Sequence, residues 1–181
     1  TELGFSVVLS DATNKKIVKE GVENINVEAC FPIKLIHGHV LNLFSKGVKG
    51  IFIPSIINLK RPSELVSNTF SCPYAQSIPY TIKASIDFKA HGAKLDSTIV
   101  YFGAKEEEVL KNMIDFGKHL GKTKKEVKKA FQAANEAQGM FYEKCQAAGS
   151  SFLSSLKDDD KVMVVVGRPY NSVDPGANLN I

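Results

Sequence analysis

Two short stretches of the 181-residue chain start a helix with a cysteine and a proline, Cys30-Phe31-Pro32 and Cys72-Pro73. Proline suits the first helical turn because the N–H it lacks would have no partner there anyway. A cysteine at that end faces unpaired backbone N–H groups and the positive end of the helix dipole. Both favour the thiolate, the form that ligates metals and attacks electrophiles. Against this stands the ordinary role of cysteine as a small buried hydrophobe. That role fits Cys145, which falls on the apolar stripe of a long helical tract.

The first stretch, "EACFPIKLIHGHV" over 28–40, adds two of the four histidines. On a helix His37 and His39 point almost oppositely, because two residues turn the chain by roughly 200°. They cannot grip one ion from a regular helix, and no CxxC pair is present, so zinc is a poor reading. His37 borders the apolar stripe beside Gly38, either as scaffold or as a wall of the cleft behind Cys30. His91 and His119 carry no signal. A third chemistry-bearing stretch, "VVVGRPYNSVDPGANLNI", places Arg168, Tyr170 and Asn171 straight after an apolar run, then a tight turn at Asp174-Pro175-Gly176 and polar Asn178. Such a loop is suited to face a ligand. Arg168 could pair with a carboxylate or phosphate, or serve a structural turn through an ion pair. "GKHLGKT", 117–123, imitates a phosphate loop, but its glycines are too close and it follows a helix instead of a strand.

Hydrophobic patterning says what must position these residues. "FSVVLSD" (5–11), "GIFIPSI" (50–56), "LDSTIVYF" (95–102) and "KVMVVVGRPYN" (161–171) read as strands. The last is continuously apolar, as a strand covered on both faces would be. Helices are expected over 12–25, with Ile17, Val18 and Val22 inward, and over 33–47, capped by Gly47. A third is expected over 72–86, kinked or split by Pro79. The tract 105–157 is helical and is divided near "GKTKKE", where Thr123 and Glu126 match a capping box. Its later helix would carry Val127, Phe131, Ala134, Gln138, Phe141 and Cys145 inward.

Strands alternating with helices argue for an α/β fold: a parallel, Rossmann-like or flavodoxin-like doubly wound sheet with helices on both faces. Ligands of such sheets bind at the carboxyl ends of the strands, which is where the Cys-Pro helix starts and the Arg168 loop fall. The chain divides into a first α/β unit, 1–104, and a helical tract leading into the start of a second, 105–181. It begins without Met and stops within an apolar pattern, so it reads as part of a longer polypeptide.

Composition narrows the classes. An apolar fraction of 44% supports a core without disulfides or metals. No run reaches the ~18 apolar residues of a membrane helix. An odd number of widely spaced cysteines, with no export signal, points to a reducing cytoplasm. The net charge of +4 owes much to "GKTKKEVKK", which reads as a solvated helix face and not as a nucleic-acid surface.

Taken together, "EACFPIKLIHGHV", "IFIPSI", "SCPYAQSIP" and "VVVGRPYNSVDPGANLNI" resemble the activase-related proteins of the 2-hydroxyacyl-CoA dehydratase system, the CoA-substrate-specific enzyme activases. The resemblance covers nearly the whole chain and is weakest over 105–160. It implies one module of a larger polypeptide that also carries ATP-dependent activase domains of the actin and sugar-kinase type. Nothing here matches those domains, so ATP hydrolysis is not expected of this module. It further implies an iron–sulfur cluster of the 4Fe–4S kind, ligated by Cys30 and Cys72, that receives ATP-driven low-potential electrons in anaerobic acyl-CoA dehydration. His37, Gln76, Arg168, Tyr170 and Asn171 would line the cleft around it. The family's clusters use three cysteines per subunit. Cys145 lies outside the matching motifs, so a further ligand is expected beyond Ile181. Two other readings stay open beside the redox module: a metal-free site for an acyl-CoA or other anionic ligand, and a structural domain that docks the rest of its polypeptide.

Overall fold

The computed structural model describes residues 1–61 and 63–178. The last three residues of the "DPGANLNI" motif therefore lie outside the described residues. The polypeptide forms two compact units. One comprises Val7–Asn112 with the described residues from Gly167 onward; the other comprises Thr1–Ser6 and Met113–Val166.

The larger unit opens with helices α1 (Lys15–Glu23) and α2 (Phe31–Ser45). Asn14 caps α1, its Oδ1 accepting from Lys16 N at 3.0 Å and Ile17 N at 3.1 Å. Satisfying those orphan donors is what lets a helix start there. The two helices approach closely through Gly21 and Gly38. A methyl group on Gly21 would overlap the Lys34 carbonyl, and one on Gly38 would overlap the Ile17 carbonyl. Of the inward set expected for α1, Ile17 is fully buried, while Val22 is 47% exposed. The stripe turns toward Gly21, because only a residue without a side chain admits the neighbouring backbone. α2 ends as expected at Gly47, whose φ of +78° favours glycine. Val48 N bonds Leu43 O at 3.2 Å and Gly47 N bonds Phe44 O at 2.9 Å, the paired bonds that close a Schellman motif.

Four short strands follow: β1 (Gly50–Phe52), β2 (Ser55–Asn58), β3 (Lys94–Asp96) and β4 (Ile99–Tyr101). β1 pairs parallel with β3, Gly50 opposite Lys94; β2 pairs parallel with β4, Ser55 opposite Ile99. Ile53 N to Asp96 O at 3.1 Å and Ser55 N to Thr98 O at 2.9 Å carry the ladder across the gap at Pro54, which has no N–H to give. Parallel strands need a crossover, and helix α3 (Pro73–Ser85) lies within the connection from β2 to β3. Contrary to the expectation of a split, α3 runs unbroken through Pro79. Val40, Ile51, Ile82 and Ile86 form the core where α2, α3 and β1 meet. Each such side chain stabilises the fold by about 1.5–3 kcal/mol. Phe44 stacks on His91 at 4.4 Å and meets Phe88 edge-on at 5.3 Å beside them.

The fold is thus α/β with parallel pairing, but among the described residues each sheet holds two strands and the doubly wound order is not formed. Two of the expected strands are absent. Residues 5–10 are irregular, with Leu9 76% exposed, and 161–168 are irregular, with Val166 91% exposed. β-branched composition expresses only fitness for a pleated surface. A strand also needs a neighbouring strand to bond its backbone groups, and among the described residues neither run has one.

Helix α4 (Glu106–His119) crosses the division between the units, and α5 (Lys124–Ser155) belongs to the smaller one. The capping box is present in both directions: Thr123 N donates to Glu126 Oε2 at 2.8 Å and Glu126 N to Thr123 Oγ1 at 3.3 Å. The hydroxyl and amide of Thr123 hold the Glu126 carboxyl below its ordinary pKa. Of the stripe expected on α5 only Val127 is buried; Phe141 is exposed, and so is Cys145, which is therefore not a core residue. Nothing among the described residues covers that part of the helix. Lys124, Lys125, Lys128 and Lys129 are exposed, as a solvated face requires. No helix among the described residues is long and apolar enough to cross a membrane.

Gly38→Ala tests the α1–α2 packing. Helix propensity alone would favour alanine by about 1 kcal/mol. Overlap with the Ile17 carbonyl should reverse the sign and cost about 1–3 kcal/mol, read as a lower urea midpoint.

Candidate functional site

The site grows from the carboxyl end of β2. Just beyond it, Ser71 N donates to Ile57 O at 2.8 Å and Asn58 bridges to Phe70. Gln76 in the first turns of α3 reaches back with Nε2 to Ser71 O at 2.8 Å. The Ser55 hydroxyl donates to Gln76 O at 2.5 Å. Strand end and helix start are stapled together, and Cys72 stands between them as the residue before the first helical turn. Gln76, expected on the cleft wall, gives its amide to this staple.

At Cys72 the sequence dictates the electrostatics. Pro73 occupies the first helical position and the Cys72 side chain makes no capping hydrogen bond, yet the backbone N–H groups of Tyr74 and Ala75 favour its thiolate. They are the largest cause of a thiol pKa held below its ordinary value. Desolvation opposes them, and the charge of Arg168 adds a smaller lowering. The same pairing raises the Arg168 pKa, after the larger contribution of Tyr170. Arg168 Nη1 lies 3.5 Å from Tyr170 Oη. Arg168 is the cap residue of a one-turn helix, α6 (Pro169–Ser172), and the next-but-two residue, Asn171, donates its N–H to Arg168 O at 2.8 Å. The apolar run ahead of this loop is no strand. The charge of Arg168, from the far end of the unit, acts on the Cys72 thiol.

Cys30 also stands at the cap position of its helix, and its side chain too makes no capping hydrogen bond. Pro32 stands at the second helical position, so the N–H there is missing, and Ile33 N and Lys34 N go to Cys30 O at 3.0 and 3.2 Å. Cys30 is exposed. One contact ties the two helix starts: Tyr74 Oη donates to Glu28 O at 3.4 Å, two residues before Cys30. His37 is fully buried. Its Nδ1 lies 3.0 Å from Ile33 O, which can only accept, so Nδ1 carries the proton; Nε2 has no hydrogen-bond partner among the described residues. Burial pushes its pKa down, against the carbonyls of Ile33 and Thr81.

A second polar cluster has no counterpart in the sequence reading. His39 points away from His37, as the helical spacing requires. Its Nδ1 lies 2.9 Å from Ser10 Oγ and its Nε2 3.2 Å from Thr13 Oγ1. Thr13 Oγ1 donates to Asp174 Oδ2 at 2.7 Å. Nearby, Asn42 Oδ1 accepts from Asp11 N at 2.9 Å and Lys46 pairs with Asp11 at 2.7 Å. The one available signal was the polar cluster "SDATN" after an apolar run, with the DPG turn far along the chain.

A lowered-pKa thiol beside a guanidinium can ligate a soft metal or attack an electrophile, and the guanidinium can pair with an anion. As donors for an iron–sulfur cluster, cysteines at helix starts have the right chemistry but not the right number. Four cysteines hold such a cluster, whereas no group of three or more His, Cys, Asp or Glu among the described residues could hold a metal ion.

Replacing the guanidinium should raise the Cys72 pKa. In Arg168→Gln the pH midpoint of iodoacetamide alkylation, followed by mass spectrometry on the Cys72 peptide, is expected to move upward. The shift should leave the larger effect of the Tyr74 and Ala75 amides in place.

The chain was compared with known families and proteins. The family described as "CoA enzyme activase uncharacterised domain" matches residues 1–181. No curated protein and no solved structure matches.

Proposed function

Because the chain belongs to the CoA enzyme activase uncharacterised domain family, we propose that it is the thiolate-presenting redox module of an activase polypeptide. In this reading Cys72, with Cys30 from the neighbouring helix start, ligates an iron–sulfur cluster that relays ATP-driven low-potential electrons toward acyl-CoA dehydration. The observation that carries it is the placement of Cys72, the cap residue of α3 in the connection after parallel strand β2, where helix amides and, less, Arg168 favour its anion. Two thiolates are a partial set, so the remaining ligands come from outside residues 1–181, from the larger polypeptide whose activase domains supply the ATP chemistry. The exposure of Cys30 and the partial exposure of Cys72 are what a shared site of this kind needs. The place of action is the cytoplasm, where thiols stay reduced.

Arg168 favours a second reading. An exposed guanidinium with a phenol alongside, next to a helix start, suits the phosphates of a CoA-type ligand. In that case the site binds an acyl-CoA without metal.

Iron and sulfide content after anaerobic reconstitution of the full polypeptide decides between them. Cys72→Ser and Cys30→Ser should each lose most of the iron bound by the parent, and Cys145→Ser should lose none. Retention of iron in Cys72→Ser, or no iron in the folded parent, overturns the redox reading. Protection of Cys72 from alkylation by coenzyme A would then support the anion site.

A further inference from the structure

One face of α2, continued by its cap residue, holds the loop around Ser10. His39, Asn42 and Lys46 are spaced three and four residues apart, which puts them on one helical stripe. Lys46 Nζ donates to Leu9 O at 2.9 Å and pairs with Asp11 at 2.7 Å. Asn42 accepts from Asp11 N and donates to Asp11 Oδ2, both at 2.9 Å. Both neighbours of Ser10 are therefore fixed to the helix, and Ser10 Oγ is held 2.9 Å from His39 Nδ1. Packing alone would arrange this loop the other way. Val7, Val8 and Leu9 are exposed, whereas Ser10 and Thr13 are half-buried. Contiguous apolar residues left in solvent beside an inward hydroxyl point to a ligand.

The hydrogen bonds of His39 run in one direction. The Asp174 carboxylate only accepts, so the hydroxyl proton of Thr13 goes to its Oδ2 across 2.7 Å. Thr13 Oγ1 then accepts from His39 Nε2, 3.2 Å away, so Nε2 carries the ring proton. Nδ1 is left as the acceptor, and the Ser10 hydroxyl donates to it. Burial pushes the His39 pKa down, against the charge of Asp174, which leaves the ring neutral and able to take a proton. Gly176 lies so close to Thr13 that a methyl group would overlap the Thr13 carbonyl, so the turn that carries Asp174 is seated on the same loop. All these residues belong to the larger unit, and Ser10 and His39 are each partly exposed. A hydroxyl, a base within hydrogen-bond reach and a third group that orients the base are the arrangement that activates a nucleophile.

We propose that Ser10 is a nucleophile and His39 its general base, in a second site that takes carboxylic esters whose apolar acyl group lies along Val7, Val8 and Leu9. Thr13 and Asp174 are positioning residues that hold the ring in the tautomer the base needs. In the first step the Ser10 oxygen forms a bond to the acyl carbon and its proton passes to His39 Nδ1. The carbon–oxygen bond of the ester breaks, and the leaving alkoxide takes the proton from Nδ1 and departs as the alcohol. In the second step water gives a proton to Nδ1 and its oxygen to the acyl carbon. The acid is released, and Ser10 Oγ recovers the proton from Nδ1. The balance needs only water. The imidazolium formed in between is met by Thr13 Oγ1 and, beyond it, by the Asp174 carboxylate. The site uses none of the residues of the Cys72 reading and stands or falls apart from it.

The test uses the full polypeptide and two probes, a fluorophosphonate and p-nitrophenyl octanoate, with mass spectrometry on the Ser10 peptide. The fluorophosphonate should mark Ser10, and the ester should leave its acyl group on the same residue. Ser10→Ala should lose both marks. His39→Gln should slow the marking about 10²-fold or more, the worth of a general base. Thr13→Val removes the bridging hydroxyl at similar volume and should slow it about tenfold, the worth of one hydrogen bond. That loss should fall on the maximal marking rate and not on the probe concentration at half of it, and Thr13→Ser should restore the rate. No mark on Ser10 in the folded parent overturns the proposal, and this arm needs no variant. Marking of Ser10 at the parent's rate in His39→Gln also overturns it, because the hydroxyl then reacts without the base. If His39→Gln does not fold, Thr13→Val is read by the same outcomes. Neither probe reads iron, so failure here leaves the Cys72 reading as it stands.

Discussion

A helix start leaves up to four backbone N–H groups without partners, and what each start in this protein does with them sets its chemistry. At Asn14 they are met by a side-chain oxygen, and the helix is merely capped. At Cys30 the second N–H is missing in Pro32 and the next two bond the cysteine's own carbonyl. At Cys72 the proline stands one place earlier, and the second and third N–H groups favour the thiolate without a capping hydrogen bond. A shift of one residue in the position of proline thus separates two cysteines that otherwise look alike.

The rest of the larger unit serves that arrangement. A parallel pair of strands needs a crossover, and here the crossover contains α3, so the carboxyl end of β2 and the start of α3 are brought together by topology. The Ser55–Gln76–Ser71 staple then removes the slack that a loop would leave. The α1–α2 contact at Gly21 and Gly38 does the same on the other side. It lets α2 sit with His37 turned into the core and His39 turned to the loop at Ser10 and Thr13. Two histidines two residues apart consequently have unrelated tasks, one in packing and one in a polar network.

What the sequence made legible was local. The Cys-Pro helix starts, the Thr123–Glu126 box, the Gly47 cap and the strands at 50–56 and 95–102 depend on neighbours within a few residues, and those neighbours are written side by side. The strands expected at 5–11 and 161–171 and the buried stripe of α5 depend on partners elsewhere, and an apolar run does not name its partner. The site divides in the same way. Cys72 was legible from its proline, and Arg168 from its place after an apolar run, although that run is not a strand. Ser10, Thr13, His39 and Asp174 were not legible as a group, because none is unusual where it stands and the chain joins residues separated by most of the unit.

The two parts of the Cys72 environment also differ in how they can change. The amides of Tyr74 and Ala75 belong to the helix, and their influence on the thiol lasts for as long as α3 exists. The guanidinium comes from an exposed one-turn helix fixed mainly beyond its far end. Exposed charge pairs are weak and easily screened, so Arg168 contributes less to the thiolate than the amides do, yet it is the part that can leave. When a ligand with its own negative charge arrives, Arg168 can turn from the sulfur to that ligand without disturbing the amides. A site in which the permanent donors are backbone and the movable donor is an exposed arginine can hold the thiolate in reserve and still admit an anion beside it. Such an arrangement would suit a thiolate that holds a cluster and a pocket that holds a phosphate equally well, which is why the metal content of Cys72→Ser, and not the geometry of Arg168, separates the two functions.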